Sequence, residues 1–378
     1  MRLDHSATAD NGVTMADHLH HRSFLAGASV LLVGATALLS GCSSLNEGGA
    51  SGGGSAAPDD VTVGVVLSQT LVSRWKFDQQ GIEDQLKKLG AKSIVVSAES
   101  DDQKQRSAIE NMVTQGVDAL IIAPVNADTA ASSFAIASDA GIPVIDYNFI
   151  APDAEFDYAI TRSARDYGKQ TAESALEAHP TGNYIIIGGD PASSVAQDTT
   201  AGYLDALQPA VDAGDITIVS QQYNAGWSPQ TAQQQVEEAL VAAKDDVSAI
   251  LSNNDGMATG AITALQAQKL KGVFVSGVDA DLLNVQAIVQ GTQTLSIWTD
   301  YSLMGTYAAD AAYAAATGTD LDVPNVQSVK YTNGEKPTVV METINVTQDT
   351  VCDWINQYGY YTAEEVYGDQ AATECPAS

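Results

Sequence analysis

Two α/β lobes, each a doubly wound parallel sheet with helices on both faces, are what the pattern of this chain predicts. Three observations carry that expectation. Short apolar runs alternate with amphipathic stretches, and a glycine stands between helix and strand at a spacing of about 25 residues. The chain beyond residue 61 is also longer than one hydrophobic core usually spans.

The first run, Val61 to Leu67 (VTVGVVL), reads as a buried strand. Ile82, Leu86 and Leu89 then share one helical face, and Gly90 stops that helix. Gly90 precedes SIVVSA, Gly116 precedes VDALIIAPV and Gly141 precedes IPVID, a βαβ rhythm that implies parallel strands. A second set follows Asn148: YAIT after Asp157, NYIIIGG before Asp190, then ITIVSQQY, SAILSNND and VFVSGVD. The tail from Val351 reads as a final amphipathic pair in which Trp354 is a packing residue.

Ligands of such sheets lie beyond the carboxyl ends of the strands. Ser68, Asn148, Asp190, Asn254, Asp255 and Asp279 stand at those ends, although Asp and Asn also cap helices, which is the simpler reading of any one alone. Phosphate-loop, dinucleotide and nucleophile-elbow motifs are absent from the folded region, and no His/Cys spacing suits a metal. Asp279 and Asp281 suggest a ligand contact and a helix cap rather than an acid/base pair. No catalysis, cofactor or metal is expected.

Ahead of this body, basic residues up to Arg22 precede an apolar run from Phe24 to Leu39 that closes on Leu39-Ser40-Gly41-Cys42. The run is shorter than the roughly 20 residues of a spanning helix, and its small-residue-then-cysteine ending marks a bacterial lipoprotein signal. Residues 1–41 would be cleaved, with Met15 a plausible start, and lipid on Cys42 would anchor the chain outside the cytoplasm. A short core helix ending in Gly-Cys is the alternative. Residues 42–60 read as a flexible linker, whose Gly/Ser-rich stretch from Glu47 to Pro58 has a reach of about 20 Å.

Composition narrows the partners. A formal charge of -30 leaves no electrostatic footprint for nucleic acid or an anionic membrane surface and suits a small neutral ligand. Of five histidines only His179 lies outside the leader, before Pro180, which argues against histidine catalysis. With Cys42 lipidated, Cys352 and Cys375 remain as an even pair in an oxidising compartment, either as a disulfide or as two free thiols.

Six segments, SRWKFD (73–78), AIENMVTQGVDALIIAPVN (108–126), GWSPQTA (226–232), SNND (252–255), SGVDADL (276–282) and GTQT (291–294), are collinear with a known family. Together they resemble the xylose-binding and multiple-sugar-binding branch of the type I periplasmic binding proteins. The resemblance runs from Val61 to about Ile344. It implies lobes joined by three crossing strands, near Tyr147, near Trp298 to Thr299 and within Val339 to Ile344, closing on a sugar. The lobes then comprise residues 61–147 with 300–340, and 148–299 with 341–378, the latter including a disulfide-closed tail. The helix Ser302 to Ala315 returns to the first lobe.

Carried over position by position, the resemblance implies a site containing Arg74, Trp75, Trp227, Asn254, Asp255 and Asp279, with Asn148, Phe149 and Trp298 beside the crossings. Amides and carboxylates suit adjacent hydroxyls, and an indole face suits the C–H side of a pyranose. Core packing is the alternative for Trp75 and Trp227, and helix capping for Asp279. Departures from the branch are as telling. Its tyrosine-aspartate-arginine reads Tyr147-Asn148-Phe149 here, its phenylalanine-aspartate-asparagine reads Arg162-Ser163-Ala164, its asparagine pair reads Ser194-Val195, and its lysine reads Thr299. Xylose is therefore expected to bind poorly, with hydroxyls gripped mainly from the second lobe. Arg162 or Arg165 offers a replacement cation unless each is a surface arginine.

The function implied is a lipid-anchored solute-binding protein of an ABC importer, taking a sugar or sugar-like polyol to membrane permease subunits. A ligand-sensing lipoprotein that feeds a signalling receptor is one alternative. A surface-anchored carbohydrate hydrolase is another, whereas a repressor is excluded by the export signal and by the lack of a helix-turn-helix before Val61.

Overall fold

A computed structural model describes residues 60–376 except Leu71 and Ser73. The signal segment, Cys42 and the linker up to residue 59 lie outside the described residues.

The first lobe is built in chain order from β1 (Thr62–Leu67), α1 (Arg74–Lys88), β2 (Lys92–Ser97), α2 (Asp102–Gln115), β3 (Ala119–Ile122), α3 (Ala130–Asp139), β4 (Val144–Tyr147) and β5 (Tyr158–Arg162). The chain then forms α4 (Ala164–Ala178), β6 (Gly182–Gly188), α5 (Ser194–Ala213), β7 (Ile216–Tyr223), α6 (Pro229–Ala243), β8 (Ala249–Ser252), α7 (Asp255–Ala267), β9 (Phe274–Val278), α8 (Leu282–Val289) and β10 (Leu295–Trp298). It returns through α9 (Tyr301–Thr317), β11 (Val326–Tyr331) and β12 (Gly334–Met341), and ends with β13 (Ile344–Thr347), α10 (Val351–Tyr358) and α11 (Ala363–Tyr367). The sheets run β11-β12-β5-β4-β3-β1-β2 and β13-β10-β9-β8-β6-β7. Two doubly wound lobes are therefore present as expected.

Alternation along the strands explains the double layer. In β1, Val63, Val65 and Leu67 enter one core while Val66 enters another with Leu120 and Ile122. In β6, Tyr184 and Ile186 face one side and Ile185 and Ile187 the other. Strands buried on both faces need helices on both, hence near-continuous apolar runs in the sequence. Across the first lobe α1 and α9 nearly touch: a Cβ on Gly81 would sit 2.1 Å from the Ser302 carbonyl oxygen, and one on Gly305 2.3 Å from that of Asp78. That approach brings Tyr301 beside Arg74.

One expected boundary is wrong. Residues after Tyr147 do not enter the second lobe, because β5 lies parallel to β4 with Ile145 opposite Tyr158 and Tyr147 opposite Ile160. Asn148 N–H donates to the Ile160 carbonyl at 2.8 Å, turning the chain back into the same sheet. The first crossing therefore follows Arg162, which belongs to the first lobe. Met341 also belongs there, since β12 pairs with β5 as far as Met341 opposite Arg162. The other crossings, between β10 and α9 and between β12 and β13, fall where expected.

Cys352 and Cys375 form a disulfide, with Cα atoms 5.2 Å apart. The tail it closes touches both lobes rather than one. Gln286 of α8 donates to the Glu365 carbonyl at 2.7 Å, while Tyr360 stacks on Phe77 of α1 with ring centroids 4.0 Å apart.

Candidate functional site

The cleft lies beyond the carboxyl ends of β4, β5, β8 and β9. Arg74, Trp75, Phe149, Arg162, Trp227, Asn253, Asn254 and Asp279 line it, together with Gln69, Val72 and Val195.

Arg74 opens α1 and is 3 % exposed. Its Nε donates to Asp78 Oδ2 at 3.0 Å, its Nη2 donates to Asp78 Oδ1, and its Nη1 donates to Asn148 Oδ1 at 2.9 Å. Tyr147 Oη also donates to Asp78, at 2.5 Å. The Arg74 guanidinium lies 4.0 Å from the Tyr301 ring centroid and 4.6 Å from that of Trp75, cation–π distances. Burial alone would lower its pKa, but Asp78 holds it above the ordinary arginine value. Burial pushes Asp78 up, against the pull of Arg74. Arg74 thus spends most of its capacity within the protein.

Asn148 takes the left-handed turn after β4, at φ 64°, which asparagine tolerates better than most residues. It is buried, and its Nδ2 has no hydrogen-bond partner among the described residues. Phe149 follows it. Its ring meets Trp75 edge-on at 5.7 Å and lies parallel to Trp227 at 6.4 Å, so aromatic faces from both lobes flank the cavity. Trp227 is seated by a glycine: a Cβ on Gly189 would fall 2.1 Å from its ring.

Of the two candidate cations, only Arg162 enters the cleft. It closes β5, is 5 % exposed, and donates through Nη1 to Tyr301 Oη. Its Nη2 stands 3.6 Å from Asp279 Oδ1, to which Tyr301 Oη donates at 2.7 Å. Its Nε has no partner among the described residues. Burial works against the charge on Arg162, but the surrounding tyrosines and Asp279 raise its pKa overall, despite Arg74. Arg165 instead pairs with Asp205 at 2.7 Å on the surface. The first-lobe wall therefore carries more polar capacity than the loss of an arginine at position 149 implies.

On the second lobe, Asp279 directly follows β9 at φ 105°, an uncommon conformation outside glycine of the kind found at functional sites. Its backbone N–H donates to the Ile297 carbonyl at 2.7 Å, which holds the carboxylate over the cleft. Asn254 lines the cavity and also caps α7, its Oδ1 accepting from Met257 N–H at 2.9 Å. Asn253 was missed in sequence. Its Nδ2 donates to the Ala196 carbonyl at 2.9 Å and to Thr200 Oγ1 at 3.1 Å, leaving Oδ1 buried and unpartnered among the described residues. The only signal for it was its place beside Asn254 at a strand end.

Three expected site residues do not line the cleft: Asn148, buried against Arg74, and Asp255 and Trp298, which lie elsewhere. Asp255 has no exposed surface and does not line the cleft; it accepts from Ser296 Oγ at 2.9 Å, Gln293 Nε2 at 3.0 Å and Asp281 N–H at 2.8 Å. It ties the strand ends together from behind, and burial raises its pKa well above the usual carboxylate range. Trp298 is 1 % exposed and packs on the tail, with ring centroids 5.4 Å from Trp354 and 4.6 Å from Tyr358. It ends β10 at the second crossing, so tail rings cover it rather than the cleft.

Fold and cleft define a two-lobed binding protein whose ligand lies between the lobes. Residues 63–320 match the family described as periplasmic binding protein domain, and the chain belongs to that family. It is 33 % identical to the D-xylose-binding periplasmic protein of Escherichia coli, over 82 % of this chain and 94 % of that protein. It is 28 % identical to a multiple sugar-binding periplasmic receptor of Rhizobium radiobacter, over 82 % and 93 % respectively. An ABC transporter solute binding protein from Clostridium phytofermentans, solved with bound β-D-glucose, superposes with a TM-score of 0.74 at 29 % identity, covering 81 % of this chain and 99 % of that one.

Proposed function

We propose that the protein is an extracytoplasmic solute-binding protein of an ABC importer, held to the membrane through lipid on Cys42, that captures a neutral sugar or sugar-like polyol between closing lobes. One observation carries the ligand class: the cleft combines indole and phenyl faces with amides, and its two guanidinium groups are each matched by a carboxylate. Such a lining suits a molecule with apolar C–H faces and many hydroxyls. The names of the relatives support the same class. Permease subunits would recognise the closed form, and the ligand would favour that form by its differential affinity.

A thermal-shift screen with D-glucose, D-xylose, D-arabinose, D-allose and myo-inositol tests this reading. A true ligand at a hundred times its dissociation constant adds about 2.7 kcal/mol of stability. Scattering should show a more compact particle, and the sugar should be recovered unchanged. Turnover of the sugar, or no shift with any polyhydroxylated compound, overturns the reading. Xylose is expected to bind more weakly than the best hexose or polyol, because Phe149 offers no hydrogen bond. For the anchor, Cys42→Ser should release the protein into soluble fractions; full retention with membranes would refute it.

A further inference from the structure

Resting on the sugar-binding reading, we propose that Arg162 and Asp279 read the ligand as a pair, one from each lobe, and that their mutual neutralisation restricts the cleft to uncharged molecules bearing adjacent hydroxyls. Arg162 is the last residue of a strand of the first sheet and Asp279 the first residue after a strand of the second, and both line the cavity. Nη2 and Oδ1 stand 3.6 Å apart, near enough to neutralise each other but beyond an ordinary hydrogen bond. Each therefore has capacity left for a third group. Arg162 Nε is buried without a partner among the described residues, whereas all three nitrogens of the Arg74 guanidinium already donate to Asp78 or Asn148. A 1,2-diol suits the pair: one hydroxyl oxygen accepts from the guanidinium while its neighbour donates to the carboxylate. Tyr301 fixes the spacing, since its hydroxyl accepts from Arg162 and donates to Asp279.

Charge selectivity follows from the same balance. Arg74 is matched by Asp78 and Arg162 by Asp279, so an ammonium or carboxylate on the ligand would enter a low-dielectric cleft with no opposite charge to spare. Removing one member should reverse that exclusion in a defined direction. Arg162→Gln leaves Asp279 uncompensated and should favour a cationic ligand; Asp279→Asn leaves Arg162 uncompensated and should favour an anionic one.

The test is titration calorimetry of the wild type, Arg162→Gln, Asp279→Asn and the surface control Arg165→Ala with D-glucose, D-glucosamine and D-glucuronate. The wild type and Arg165→Ala should bind D-glucose and reject both charged sugars. Arg162→Gln should weaken D-glucose at least about tenfold and raise the glucosamine-to-glucose affinity ratio by at least as much. Asp279→Asn should raise the glucuronate-to-glucose ratio instead. A merely structural role for the pair would lower all affinities together and leave these ratios unmoved, which overturns the proposal. Wild-type protein that takes D-glucuronate as well as D-glucose also overturns it, with no variant needed. If Arg162→Gln does not fold, the Asp279→Asn ratio and the wild-type selectivity still decide. Binding of D-glucose with unmoved ratios leaves the sugar-binding reading standing, whereas wild-type protein that binds neither D-glucose nor any compound of the screen sinks both.

Discussion

The two walls of the cleft are built differently. On the first lobe, Arg74, Asp78, Tyr147 and Asn148 are tied to one another by side-chain hydrogen bonds, and Arg162 is tied to Tyr301. On the second, Asn253, Asn254 and Asp279 are each held to backbone at a strand end or helix N-terminus. A polar residue is available to a ligand to the extent that its protein partners leave donors or acceptors over. By that measure Arg74 is largely spent and Asp255 wholly so, whereas Arg162 and Asn253, which line the cavity, each keep a polar atom without a partner among the described residues, and Asp279 lines it with them.

The sharpest way to break this comparison is to exchange roles between Asp255 and Asp279. Asp255→Ala removes the acceptor of Ser296 Oγ, Gln293 Nε2 and Asp281 N–H, of which Gln293 keeps its bond to the Leu295 carbonyl, and unmade buried hydrogen bonds cost about 1 to 3 kcal/mol each. The expected loss is about 4 kcal/mol by urea denaturation. A loss below about 1 kcal/mol would show that Asp255 does not organise the second-lobe wall.

Next in size is the tail, which bridges the lobes away from both walls. Replacing Cys352 and Cys375 by Ser opens a short loop, and the chain-entropy relation gives a loss of roughly 3 kcal/mol. Ligand affinity should change less than twofold if the tail only stabilises. A large affinity change would mean that the Phe77 to Tyr360 stack also biases lobe closure.

Asp279→Ala should weaken the ligand found in the screen at least about tenfold, while costing less stability than Asp255→Ala. Calorimetry and denaturation on the same two variants separate the roles. Equal affinity for wild type and Asp279→Ala would remove Asp279 from the site.

The layers of the fold were legible because strands buried on both faces leave unmistakable apolar runs. The first crossing was not. YAIT after Asp157 carries no mark of the sheet it will join, and it was the backbone turn at Asn148 that returned it to β4. Within the site, Asn254 and Asp279 were legible as polar residues at strand ends. Asp255 follows the same pattern but points into a polar knot made by Ser296 and Gln293, residues distant in sequence. Trp298 likewise looked like a ligand platform until the tail's rings were seen to cover it. Arg162 needed the true crossing before it could be assigned, since only as the last residue of β5 does it face Asp279.

The smallest effect tests a first-lobe carboxylate that is neither spent nor available. Asp146, on β4, is wholly buried; its Oδ2 accepts from Ala151 N–H at 2.8 Å, while Oδ1 has no partner among the described residues. Burial raises its pKa well above the usual carboxylate value, with the Ala151 and Tyr147 backbone bonds opposing. Its folded pKa thus exceeds the unfolded value of about 3.9, so the stabilising contribution is full below that pH and is lost as pH rises through the folded pKa. Asn at this position keeps an oxygen for Ala151 and never ionises. Asp146→Asn should therefore be more stable than wild type at pH 8 and nearly equal to it near pH 4. Urea denaturation at the two pH values measures the difference, and a variant equally destabilised at both would show that the carboxylate is held ionised by its backbone donors, as a spent residue of the first wall.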